Sequence, residues 1–144
     1  MKNSLYETDY YAWSNQQAAL LRAGQLSDAD IENIAEEIES MGKSEKRELV
    51  SRLQVLLLHL LKWQFQPNLQ GASWRASVVT QRYRIEDHLT DNPSLRSQLP
   101  EIVSRAYRGA VSDATLETGL LEKTFPASCP WTFSQMSDTA FWPE

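Results

Sequence analysis

The chain has one cysteine, Cys129, in 144 residues. No disulfide can form within it, and no cysteine-rich zinc site can be built. A reduced, cytoplasmic setting is the simplest expectation. Basic residues are also short: 14 Lys and Arg stand against 19 Asp and Glu, for a formal net charge of -5. That balance argues against a dedicated nucleic-acid binder, DNA included, whose affinity comes largely from neutralising phosphates, and leaves room only for a local basic stripe. Long apolar runs are missing too. The longest, Val55 to Leu61, is interrupted by His59 and is far below the ~20 residues that span a bilayer, so no membrane partner is expected. The first residues, MKNSLYETDYYAW, have no apolar stretch like that of a signal peptide. There is no glycine-rich phosphate loop, no Gly-x-Ser-x-Gly and no His-Glu-x-x-His.

What is there is helical. Hydrophobic residues make up 42% and charged residues 23% of the chain, an ordinary globular composition, and the length suits one domain, 1–144. Thr8 or Asp9 can cap a helix over Tyr10 to Ala23, with Gly24 placed for a left-handed end. Ser27, with Asp30 three residues on, predicts a second helix from Asp28 to Met41. Its Ile31, Ile34, Ala35, Ile38 and Met41 recur at helical spacing. Gly42 is expected to end or bend it, although a helix carried through glycine costs only about 1 kcal/mol relative to alanine. Ser44 then opens a third helix, Glu45 to Phe65. This one is apolar nearly all round between Val55 and Leu61, the pattern of a central, buried helix. Pro67 stops it.

Ser73 caps a fourth helix to about Thr90, with Trp74, Val78, Ile85 and Leu89 as its seam. Pro100 starts a fifth, about Glu101 to Thr118, whose Ala106, Ala110 and Ala114 let another helix come close; Gly119 ends it. The last residues are aromatic and rich in proline. They read as an irregular clasp with one short helix near Thr132 to Met136. The expected fold is all-α: about five helices around the apolar helix at about 45–65.

The blocks TDYYAWSNQQAALLRAGQ, DIENIAEEIESMGKSEKRELVSRLQVLLLHLLKWQFQP, SWRASVVTQR, NPSL and CPWTF…FWPE resemble the bacterial family known as domain of unknown function 29. The resemblance runs in order from Asp9 to Glu144. It implies a compact α-helical domain and no particular activity.

Four constellations could carry function. Arg52 and His59 are seven residues apart, which on a helix leaves them about 20° apart on one face. Arg, six intervening residues and His looks like the pattern of the HEPN superfamily of metal-independent helical ribonucleases. There a His assists deprotonation of a ribose hydroxyl while a cation stabilises the phosphorane. The competing reading makes His59 a core histidine and Arg52 an ion-pair partner. Glu32, Glu36, Glu37 and Glu39 form an acidic strip that reads as a solvated face. The ferritin-like Glu-x-x-His spacing is missing, because Leu56 and Ile85 precede His59 and His88. A mixed site from Glu36, His59 and Glu86 or His88 has no spacing to fix it, so neither a metal nor a cofactor is expected.

Arg82 interrupts the apolar seam of the fourth helix and needs a partner there; Glu36 or Glu39 is the natural candidate. Glu36, Glu39, Arg52, Arg75 and Arg82 thus form an ion-pair network, or, if the arginines converge, an anion site. Finally, Trp131, Phe133, Phe141 and Trp142 are candidates for a partner surface, since tryptophan is enriched at binding hot spots. Intramolecular packing is the alternative for them. The leading expectation is a non-enzymatic protein-interaction module that forms a homodimer. The alternative is the ribonuclease using Arg52 and His59, and only that alternative calls for RNA.

Overall fold

A computed structural model describes residues 4–144. Among the described residues six α-helices follow one another: α1 (Ser4–Thr8), α2 (Tyr10–Arg22), α3 (Ile31–Phe65), α4 (Ala72–Asp91), α5 (Leu99–Thr118) and α6 (Phe133–Ser137). Short 3-10 turns at Leu26–Asp28, Pro67–Leu69, Pro93–Gln98 and Glu122–Thr124 link them. No strand occurs among the described residues. The fold is therefore all-α, as the periodicity requires. The chain divides into two compact units, one ending at Ser44 and the other running from Glu45 to Glu144.

In the first unit, Asp9 caps α2 by accepting from the Ala12 amide at 3.0 Å, and Gly24 takes the left-handed conformation at φ 73°. The helix expected from Asp28 starts later. Asp28 lies in a 3-10 turn, and Asp30, not Ser27, receives the Asn33 backbone and side-chain amides at 3.5 and 2.8 Å. Neither Gly42 nor Ser44 breaks the helix. The two helices expected at 28–41 and 45–65 are one, 35 residues long, because the small propensity cost at one glycine is outweighed by the hydrogen bonds on either side. Burial in this unit is sparse: among the described residues up to Ser44, only Trp13 and Gln17 are buried. Side-chain hydrogen bonds hold it instead. Trp13 Nε1 donates to Asp30 Oδ2 at 3.1 Å, the Asp30 amide donates to Gln17 Oε1 at 2.7 Å, and the Tyr6 and Tyr10 hydroxyls both donate to the Glu37 carboxylate.

In the second unit the later part of α3 is the hub. Leu49, Leu53, Leu56, Leu57, Leu60 and Leu61 have no exposed surface, and they share one core with Val78, Ile85 and Leu89 of α4 and with Ile102 and Ala106 of α5. The alanine stripe works as expected, since Ala106, Ala110 and Ala114 are all fully buried. Gly109 completes that close approach. A Cβ there would sit 2.3 Å from Gln54 Oε1, whose amide donates to Asp113 Oδ2 at 2.8 Å. Helix α4 begins two residues early, at Ala72, and its cap residue is Gly71 without a side-chain bond, so Ser73 is not the cap. Gly119 ends α5 at φ 75°. Thr132 and Gln135 close a reciprocal capping box on α6.

Candidate functional site

The three arginines expected to form a network go separate ways. Arg82 is 3% exposed. Its Nε donates to the Met136 carbonyl at 2.8 Å and its Nη2 to the Phe141 carbonyl at 2.7 Å. Those backbone oxygens, not Glu36 or Glu39, are its partners, and both of those glutamates are exposed. Burial lowers the Arg82 pKa while Asp138 opposes the shift. Arg75 stacks between two indoles, 5.1 Å from the Trp63 ring and 4.8 Å from Trp142. Arg52 donates from Nε to Glu48 Oε2 at 3.1 Å. A carbonyl-bound Arg82 and an indole-sandwiched Arg75 secure the C-terminal segment to α4 and α3, which is a structural use of cations.

The aromatic candidates for a partner surface are spent in the same clasp. Trp131 is buried, and Phe133, Phe141 and Trp142 pack against the core of their own chain. Trp142 lies 4.5 Å from Trp63, ring centre to ring centre. Tyr107 adds a fastening: its hydroxyl donates to the Pro126 carbonyl at 2.6 Å, and burial, aided by Cys129, pushes its pKa up to about 12. Burial likewise raises the Cys129 thiol, which leaves little thiolate for chemistry.

Arg52 and His59 share a helical face but not a cleft. Arg52 lines a shallow groove with Glu48, Arg84, Asp87, His88 and Asp91. His59 is half-buried, and its Nδ1 is held by the Val55 carbonyl one turn earlier, at 2.8 Å. The acidic strip is also not uniformly solvated. Glu37 is the acceptor for both tyrosines; those hydroxyls hold its pKa below the usual carboxylate value, and it raises Tyr6 in return to about 12.

Three arrangements were not foreseen. One is a cluster of Glu45, Glu48 and His88, whose potential ligand atoms all lie within 4.8 Å of one another. The spacing Glu45-x-x-Glu48 was visible on one helix face; its partner on α4, His88, lies beside the seam residue Leu89 but 43 residues away in sequence. The second is a groove of about 870 Å³ between Phe65, Tyr107, Val111 and Phe125, with Arg108 and Lys123 also in its lining. The third is on the first half of α3, where Ile31, Ile38 and Met41 are 53%, 58% and 62% exposed. The periodicity there marks a face without a covering layer.

Taken together, these features define an all-α protein, with an exposed apolar helix face in the first unit and an aromatic C-terminal clasp in the second. The chain belongs to the family described as Domain of unknown function DUF29, whose model matches residues 5–142. Searches of curated proteins and of solved structures find no match. Among the described residues, no helix is long and apolar enough to cross a membrane.

Proposed function

We propose that the domain is a non-enzymatic protein-interaction module that pairs with a second copy of itself through the first half of α3. The observation that carries this reading is the strip Ile31, Ala35, Ile38 and Met41, which is exposed along one helix face. Burying such side chains is worth roughly 1.5–3 kcal/mol for each large one, and more than half of the surface of Ile31, Ile38 and Met41 stays open. Gly42 lies on the same strip, and a Cβ built there meets no atom within 4 Å. A mid-helix glycine with no close neighbour of its own suits a tight approach by another helix. The flanking charges favour a two-fold, antiparallel pairing. Glu36 on one copy would face Lys43 of the second copy, and both residues are exposed.

One short helix face buries less than the ~1,600 Å² of a standard interface, so micromolar affinity is expected. The cytoplasm fits this role, since the lone thiol has no partner to oxidise with inside the chain. No observation favours the ribonuclease alternative: Arg52 is engaged by Glu48, and His59 is tied to the Val55 carbonyl. Sedimentation equilibrium tests the pairing. Wild type should approach twice the 16.5 kDa chain mass as concentration rises through the micromolar range, and Ile38→Glu should stay monomeric. A wild-type protein that remains monomeric at high micromolar concentration sinks the reading.

A further inference from the structure

His88 is 7% exposed, and its ring nitrogens are pinned by identifiable atoms. Nε2 lies 2.8 Å from the Glu45 main-chain carbonyl. A carbonyl oxygen only accepts, so Nε2 carries the hydrogen. In the neutral ring Nδ1 is then a bare lone pair. It faces Glu48 Oε2 at 3.3 Å, and a carboxylate oxygen is also an acceptor. Two acceptors at that distance repel unless a cation lies between them: either a second ring proton or a metal ion.

We propose that Glu45, Glu48 and His88 bind one divalent cation of the zinc type, with His88 Nδ1 and the two carboxylates as ligands and water completing the shell. Ligand chemistry agrees, since imidazole and carboxylate together suit zinc. The distance agrees as well. Bonds of about 2.0–2.1 Å in a tetrahedron place neighbouring ligand atoms about 3.3–3.4 Å apart, which is the Nδ1–Glu48 separation. The Glu45 carboxylate now lies 3.5 Å from Nε2, and it is exposed, so a side-chain rotation brings it round to Nδ1. A metal-binding histidine characteristically gives its other N–H to a carbonyl or carboxylate, and the Glu45 carbonyl fills that place.

Charge agrees too. The adjoining groove of about 200 Å³ is lined by Glu48, Asp87 and Asp91 and by Arg52 and Arg84. With Glu45 counted, four carboxylates face two guanidiniums, an excess of two negative charges that a dication neutralises. Arg52 holds Glu48 by Oε2, orienting the carboxylate from outside the shell.

The experiment is a calorimetric titration of the full chain with Zn²⁺ alone, after chelator treatment. It is paired with long-range ¹H–¹⁵N spectra of the histidine rings. One ion per chain should bind, with the His88 Nδ1 signal shifted and its Nε2–H retained. Glu48→Gln and Glu45→Gln, both at exposed positions that leave the core intact, should each weaken binding by more than about tenfold. His59→Gln should change nothing. Absence of saturable binding overturns the proposal. Binding that either glutamine variant leaves unchanged, or that His59→Gln removes, overturns it equally.

Discussion

The two units are held together by different physics, although one helix contributes to both. From Glu45 onward, stability comes from apolar burial, with six leucines of α3 fully enclosed. Up to Ser44, a single buried tryptophan is surrounded by directed hydrogen bonds: Trp13 to Asp30, Asp30 to Gln17, and Tyr6 and Tyr10 to Glu37. Apolar burial involves no charge and so does not itself change with pH. A polar lattice is the opposite, because each bond is worth only about 0.5–1.5 kcal/mol net and depends on the ionisation of its acceptor. The same helical period that closes a core in one place leaves an apolar strip open in the other.

The sharpest way to break this contrast uses two substitutions on the same helix. Leu57→Ala, at a site with no exposed surface, should cost about 2–5 kcal/mol in urea unfolding. Ile38→Ala, at a site 58% exposed, should change the monomer's stability by less than about 0.5 kcal/mol. Comparable losses at both positions would show that the strip is covered within the chain.

Next in size is the clasp. Arg82→Ala strips the Met136 and Phe141 carbonyls of their donors, and leaving such groups unpaired costs about 1–3 kcal/mol each. The chain should become sensitive to limited proteolysis beyond α6 while the helices persist by circular dichroism. Unchanged resistance would mean that Trp142 and Phe141 hold the segment without the cation.

The smallest effect separates the units by acid. Glu37 has its pKa lowered by two tyrosine hydroxyls, so its contribution is present above the unfolded value of 4.5 and disappears as pH falls through the folded one. The Trp13 indole N–H signal should broaden in that acid window before core signals of α5 do, and Glu37→Gln should abolish the difference. At the other extreme, Tyr6 is raised to about 12. Its contribution is complete below 10 and is lost between 10 and about 12. Tyr107 is raised to the same value, so alkali should loosen both units where acid discriminates between them.

How much of this was legible depends on how local each feature is. Asp9, Gly24, Gly119 and Pro67 act within a turn of themselves, and the helix ends that they mark fall where the sequence puts them. The leucine pattern identified the buried helix because burial all round has no other periodic form. Gly42 misled because helix propagation is cooperative, and one weak residue does not end it. The arginines misled for another reason. A buried guanidinium needs acceptors, but spacing does not say whether they are carboxylates or carbonyls.

By itself, then, the order of residues determined the all-α class, the helix ends at Asp9, Gly24, Pro67 and Gly119, the hub and the family, since each follows from contacts within a few residues or from a repeating period. Only the tertiary structure decided that Arg82 reads the backbone of the clasp and that His88 meets Glu45 and Glu48. It also decided that the strip on α3 has no cover. Those outcomes turn on which atoms the folded chain brings within about 3 Å of one another, and hydrogen-bond geometry at that range has no counterpart in sequence spacing.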